Sequence, residues 1–361
     1  NNAEAFKKQI KEKQDAIRKD FRQQKNIARK ALKSISLKEA RDKSLDINFK
    51  KNQPPKPAFL GVKLIDDYRI EDIRPYIDWK MFFAAWGIKG KYPDILKLKN
   101  NKGVQARKLH DEAKVLLDEM VRNQRVVPRA IIGIFPAASR SDDILIFEND
   151  KRKQVRTILH MLRQQNGSAE KDKYISLSDY IAPENSGSKD YIGMFAASVG
   201  FGADEIIENF KAQNDAYNSV MFRLLCDRLT EAFSDILHHK IEYELWGYNH
   251  DKSSGNHQIL KKGFTGIRPA PGYPTCPDHS LKADIFRLLD VQKSIGIELT
   301  ETYAMKPASS VCGCYFAHPE SKYFTLGKIS RDQIEDYAKR KKINPELAET
   351  LFKPYLDYKT Y

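Results

Sequence analysis

Long hydrophobic runs are missing from these 361 residues. None approaches the roughly 20 consecutive apolar residues of a membrane-spanning helix, so the chain is not expected to enter a membrane. No signal segment opens it, and no secretory route is expected. Cysteine is scarce. Of the four, Cys312 and Cys314 stand one residue apart, too close for an ordinary disulfide, and the set reads as reduced thiols of a cytosolic protein. No second cysteine pair stands at zinc spacing, so CGC (312–314), flanked by strand-like Val311, Tyr315 and Phe316, reads as structural or incidental. The histidines are scattered without a His-x-x-x-His or Glu-x-x-His pattern, which argues against a metal site. VGFGADEIIENF (199–210) has Gly200 and Gly202 between a strand and a helix. It carries Glu205 where a dinucleotide fingerprint needs its third glycine, and a strand-end turn is the better reading.

What is present is enough apolar material for a core, 41% hydrophobic and 11% aromatic, and a net charge of +14. A basic surplus suggests an anionic partner until the charge is located. Residues 1–60 hold 17 Lys/Arg against 7 Asp/Glu, which leaves a surplus of only four for everything after them. The imbalance therefore belongs to an N-terminal arm and says little about the body. A nucleic-acid role is disfavoured, because residues 1–58 interleave acids and offer only Phe6, Phe21 and Phe49 as aromatics.

Residues 5–45 read as one long polar helix with a thin apolar stripe that includes Ile10, Ile17, Phe21, Leu32 and Ile35. NFKKNQPPKPAF (48–59) reads as a proline-rich linker. The expected organisation is thus a basic helical arm and linker over 1–58 and one large domain over 59–361. In the body, 102–124 and 215–247 read as amphipathic helices. Residues 129–137, 142–150 and 190–200 read as strands, and strand-like runs return at 296–305, 308–317 and 322–329. Two helices close the chain, one starting at Ser330 with a capping box to Gln333, the other at Asn344 with Pro345 first. Strands and helices do not alternate strictly. The expected class is α+β, a central mostly antiparallel sheet flanked by long helices.

Two features invite chemistry. Asp227, Glu231 and Asp235 recur every four residues on the long helix, opposite the stripe of Phe222, Leu225, Leu229, Phe233 and Ile236. Such a stripe is a solvated face, or it lines a groove for a ligand with amino or hydroxyl groups. The second feature is the loop TGIRPAPGYPTCPDHS (265–280). Pro269 pushes Arg268 toward an extended backbone, Pro271 and Pro274 stiffen the next turns, Gly272 permits close approach, and Tyr273 offers a flat face with a hydroxyl. An arginine fork on a stiff loop suits a planar carboxylate, although a plain structural turn explains the same residues.

Several stretches in one order, RPAPGYPTCPDH (268–279), YIDWKMFF (76–83), GKYPDIL (90–96), DYIAP (179–183), DYIGMFA (190–196), DRLTEAF (227–233), LTETYAM (299–305) and YFAHPESKYF (315–324), closely resemble the C-terminal activation domain of cobalamin-dependent methionine synthase. The resemblance covers 59–361. It implies a chain that binds S-adenosylmethionine and presents the methyl group for reductive methylation of cob(II)alamin to methylcobalamin. The electron would come from flavodoxin or a related flavoprotein reductase. The family's modules for homocysteine with zinc, for methyltetrahydrofolate and for cobalamin are not seen, nor is an Asp-x-His-x-x-Gly cobalt-ligand motif. By resemblance, Arg268 takes the methionyl carboxylate. Ala270, Gly272 and Tyr273 pack on the ligand. Asp78 and Glu231 share the α-amino group and a ribose hydroxyl in an order left open, and Tyr323 lies on the groove floor. Asp227 and Asp235 inherit no role and are expected to stay surface charges. The chemistry implies no catalytic acid or base. The alternative is a docking module that caps the cobalamin domain and receives the flavoprotein.

Overall fold

A computed structural model describes residues 34–166, 173–249 and 263–359. The chain forms two compact units. One comprises Ile47–Met161 and Leu177–Tyr323; the other comprises the described part of Asn1–Asp46 with Leu162–Ser176 and Phe324–Tyr361.

The larger unit is built on a six-stranded sheet in which every pairing is antiparallel. Its strands are β1 (Gly61–Ile65), β2 (Val127–Arg140), β3 (Asp143–Phe147), β4 (Val155–His160), β5 (Asp190–Phe201) and β8 (Ser310–Tyr315), with a separate ribbon of β6 (Glu298–Leu299) and β7 (Met305–Lys306). The order β4-β3-β2-β5-β8 places the long strand β2 at the centre. On one edge β2 pairs first with β1 and then with β3; β5 runs along its other edge. The near-continuous apolar run of β2 follows from burial on both faces. On one face Ile132, Ile134, Phe195 and Val199 pack against α3 (Trp79–Ala85), α4 (Asn101–Asn123) and α6 (Ala216–Lys240); the short helices α2 (Ile70–Ile73) and α5 (Ala203–Ala212) join the same layer. Leu225, Leu229 and Phe233 of α6 are fully buried there. Burial of such side chains contributes about 1.5–3 kcal/mol each. On the other face lie α7 (Leu281–Leu289) and α8 (Val291–Ile295), with Leu289 seated on Gly133, where a Cβ would stand 2.4 Å from Leu289 Cδ2. The expected α+β class with an antiparallel sheet is what the chain forms.

The smaller unit holds α1 (Leu37–Asp42), α9 (Arg331–Lys341) and α10 (Pro345–Phe352), and α9 and α10 share an apolar cluster with Leu326, Ile334, Tyr337 and Phe352. Two expectations fail here, and a third is tested over only part of its range. Of the helix read over 5–45, residues 1–33 lie outside the described residues, and within 34–45 only α1 is helical. Just before it the backbone is spent differently: Ile35 N donates to Gln165 O at 2.7 Å, and Gln165 Nε2 donates to Ile35 O at 2.9 Å. The capping box of α9 does not form either. Ser330 makes no side-chain cap, and Gln333 is buried among Arg163 and Gln165. The run 322–329 forms no strand. The α10 reading holds, with Asn344 accepting from Glu346 N at 3.0 Å and Pro345 opening the helix.

Candidate functional site

The proline-rich loop runs beside β8 as a short additional edge. Ile267 and Phe316 exchange backbone hydrogen bonds of 3.1 and 2.9 Å, and Cys314 N donates to Pro269 O at 3.1 Å. Proline can sit there because a strand edge leaves its missing N–H unneeded. Gly266, with φ 77°, permits the approach, since a Cβ at that position would stand 2.2 Å from Phe316 O. From the other side α6 ends in a π-helical turn, Ile241–Leu245, that aims Glu242 at the loop's start. Glu242 Oε1 accepts from Thr265 N at 2.5 Å, while burial pushes this carboxyl up to about 7. Beyond Ala270 the chain doubles back, Gly272 N donating to Cys276 O at 2.7 Å and Cys276 N to Tyr273 O at 2.9 Å. Gly272 has φ 102°, and its open side is taken by His279, whose Cε1 lies 2.4 Å from where a Cβ would be. Its glycine character therefore serves the loop's own folding.

At one end stands Arg268. Its backbone N donates to Tyr323 Oη at 2.9 Å, and its guanidinium lies over Phe264, 5.0 Å from the ring centroid. Nη2 bonds Asp235 Oδ1 of α6, and Nη1 meets His238 Nδ1 at 3.2 Å. Burial raises the proton affinity of Asp235, Arg268 opposes that, and the field of Asp78 adds to it, so Asp78 belongs to the same neighbourhood. Asp78 itself caps α3, its Oδ1 accepting from Lys80 N at 2.9 Å and Met81 N at 3.3 Å. Burial, and then the Arg268 charge, hold His238 well below the usual histidine range. The buried Tyr315 hydroxyl has no hydrogen-bond partner among the described residues and lies in the field of Arg268, Tyr323 and Asp235.

At the other end a pocket of about 180 Å³ is lined by Glu231 of α6, by Ala270, Gly272 and Tyr273 of the loop, and by Lys282 and Cys312 behind them. Tyr273 is 57% exposed, so its ring is presented outward. Lys282 is buried beneath the loop, its Nζ donating to Tyr303 O at 2.9 Å and lying 3.0 Å from His279 Nδ1. Burial lowers the proton affinity of both Lys282 and His279, and the lysine lowers that of His279 further. The Cys312 thiol is pushed up to about 12 by burial and is no nucleophile. A second hollow, about 210 Å³, lies among Tyr68, Arg69, Met120 and Gln124; it contains none of the loop residues.

The structure brings Glu231, Ala270, Gly272 and Tyr273 into one pocket and joins Arg268 to Tyr323; Asp78 reaches the group only through its field on Asp235. Tyr323 is 60% exposed and stands at the Arg268 backbone. The expectation that Asp227 and Asp235 are surface charges is corrected. Asp227 accepts from Ser309 Oγ at 2.6 Å, and Asp235 is the partner of Arg268. The physical reason is that the α6 face carrying 227, 231, 235 and 238 lies against 264–273 and 309 rather than water. Sequence reasoning also passed over His238, Glu242, Phe264 and Lys282. The spacing of 231, 235 and 238 along one helix face is the only signal that pointed to the first of these.

Comparison with known proteins matches residues 69–342 to the family described as vitamin B12 dependent methionine synthase, activation domain. The chain is also similar to a crystal structure of the MetH reactivation domain bound to AdoHcy, with 41% sequence identity and a TM-score of 0.86 over 90% of this chain and 99% of that one.

Proposed function

The chain belongs to the activation-domain family of vitamin B12-dependent methionine synthase, and from that premise we propose that it binds S-adenosylmethionine along α6 and the 268–273 loop and presents the methyl group for reductive methylation of cob(II)alamin. One observation carries this reading: an immobilised arginine at one end of the groove and a pocket at the other, both bordered by the same helix. Glu231 and His238 are seven residues apart, which is about 10 Å of helical rise. That length suits a ligand with a carboxylate at one end and a nucleoside at the other.

The residue chemistry fits. A guanidinium carries five N–H donors, and Asp235 and His238 each occupy one of them, so N–H groups of Arg268 remain for the α-carboxylate. Asp78 and Glu231 are the carboxylates for the ammonium and a ribose hydroxyl. The loop backbone at Ala270 and Gly272 and the ring of Tyr273 receive the nucleoside, and Tyr323 fixes the Arg268 backbone. Cobalamin, which by the family resemblance another module would hold, would supply the cobalt nucleophile. No residue here needs to move a proton, because the sulfonium is already activated. The task of these residues is orientation. Methyl transfer to homocysteine, with its zinc and folate modules, belongs to the whole methyltransferase.

A docking role is compatible. Lys89, Lys91, Lys97, Lys99, Lys102 and Lys108 are exposed on one stretch whose only acid is Asp94, and that charge suits an acidic flavoprotein such as flavodoxin. Cytoplasmic residence follows from the same reading, and no helix among the described residues is long and apolar enough to cross a membrane. Calorimetric titration with S-adenosylmethionine and S-adenosylhomocysteine tests the ligand reading; no heat and no thermal shift at millimolar ligand would overturn it. Arg268→Ala should spare flavoprotein docking, whereas glutamates at Lys89, Lys91 and Lys99 should weaken it.

A further inference from the structure

We propose that Asp235 and His238 are positioning residues for the ligand's carboxylate, fixing the Arg268 guanidinium in one plane so that its remaining N–H groups face the groove. This rests on the ligand reading above and adds two residues to which the family resemblance gave no role. A free arginine side chain samples many rotamers, and a fork ordered beforehand binds an anion more tightly than one ordered on arrival. Arg268 is ordered from four directions. Tyr323 holds its backbone N, Phe264 lies under its plane, Asp235 takes Nη2 and His238 takes Nη1.

The orientation is unique because of the histidine. Arginine has no acceptor, so Nδ1 of His238 must be the unprotonated nitrogen. Nε2 then carries the proton and donates to Tyr248 Oη at 3.2 Å. His238 is 1% exposed, and a second proton would place a buried cation against Arg268. The charged and titratable groups around it are Arg268, Asp235, His239, Glu242, Tyr248 and Tyr315. A purely structural ion pair would be closed. This one is open: among the described residues Asp235 Oδ2 and the remaining Arg268 N–H groups have no protein partner, and the buried Tyr315 hydroxyl beside them has none.

The opposite role for Asp235 is that of a competitor, which occupies Arg268 until a carboxylate displaces it. The two differ in sign. Under positioning, Asp235→Ala weakens S-adenosylhomocysteine by about tenfold. Asp235→Asn, which keeps an acceptor, loses less, and decarboxylated S-adenosylmethionine changes by under about twofold in either variant. His238→Asn, whose amide oxygen replaces Nδ1, should lose less than His238→Leu. Tighter binding by Asp235→Ala, or equal losses for both ligands, overturns the proposal. If wild-type protein binds neither ligand, the ligand reading fails separately, and the clasp is still decided by NMR of the ligand-free chain. Distinct, slowly exchanging Arg268 Hη resonances in wild type that average in Asp235→Ala support it; averaged resonances in wild type overturn it.

Discussion

Each unit contains a buried polar network, and the two are finished differently. In the smaller unit Gln165 and Gln333 are fully buried and Arg163 is 2% exposed. Gln333 Oε1 accepts from Arg163 N at 2.7 Å, while its Nε2 donates to Arg163 O at 2.9 Å and to Gln165 Oε1 at 2.7 Å. Gln165 Nε2 donates to Ser330 Oγ at 2.7 Å and Asp332 Oδ1 at 3.0 Å, and Arg163 Nη1 donates to Tyr174 O at 2.7 Å. Neutral amides dominate it, and the amide groups of both glutamines are used. In the larger unit the network of Arg268, Asp235 and His238 is charged and, among the described residues, leaves donors and an acceptor over. A buried network closed on itself specifies structure. One left partly open beside a pocket has capacity for a ligand, and that difference separates a core from a site.

The largest expected effect comes from opening the closed network. Gln333→Leu removes the acceptor of Arg163 N and the donors to Arg163 O and Gln165 Oε1. A buried polar group left unmade costs about 1–3 kcal/mol, so a loss of about 3 kcal/mol or more is expected. Urea unfolding should show it, with faster amide exchange in α9. Affinity for S-adenosylhomocysteine should not change, because no groove residue is touched. A stability change under about 1 kcal/mol would mean the network is not the closed structure described.

Next is the open network. Arg268→Ala should weaken S-adenosylmethionine by about 2–3 kcal/mol, roughly 30- to 150-fold. Arg268→Lys should recover part of this, since a point charge lacks the fork. Decarboxylated S-adenosylmethionine should lose little more on the mutation than wild type already loses. The fold should survive, because the loop's shape comes from its β8 pairing, Glu242 and Gly266. Equal losses for both ligands would reassign Arg268 to shape alone.

How far these networks could be read beforehand depends on their chemistry. The β2–β3 pair was legible because RAIIGIFPA and DDILIFEND are apolar runs around a polar turn, and the α6 stripe was legible because its period is helical. Arg268 stood out because prolines surround it. Asp235 did not, because a carboxylate every fourth residue looks the same whether water or a loop covers it. Gln333 was misread for a related reason: spacing from Ser330 satisfied a capping box, but Gln165, far away in sequence, offered a better partner. The short strands β1 and β4 gave too little alternation to be seen, the exposed side chains of β1 at Val62 and Leu64 blurring its pattern. Residues 322–329 alternate enough to suggest a strand yet form none.

The smallest effect concerns acid. All eight histidines of the chain lie within the sequence ranges of the larger unit; the smaller has none. Burial lowers the proton affinity of His110, His238 and His318, with His239 and His279 shifted the same way. Below the ordinary histidine pKa of about 6.5 the unfolded chain therefore binds protons that the folded unit refuses, and stability falls as pH falls. Asp190 and Glu242, both pushed up to about 7, act oppositely: the folded unit keeps protons that the unfolded chain releases above about 4, so their stabilisation is lost as pH rises toward 7. Between pH 5 and 6.5 the lowered histidines outnumber these carboxyls, and the larger unit should weaken on acidification by on the order of 1 kcal/mol. In the smaller unit Asp332 is lowered by hydrogen bonds from Ser330 and Leu37 N that outweigh its burial; its contribution is present above about pH 4 and lost only below it. Amide exchange followed from pH 7 to 5, corrected for intrinsic rates, should show protection falling in α6 and β5 while α9 holds. Equal loss in both, or a gain in α6, would mean the buried histidines do not govern the acid response of the unit that carries the groove.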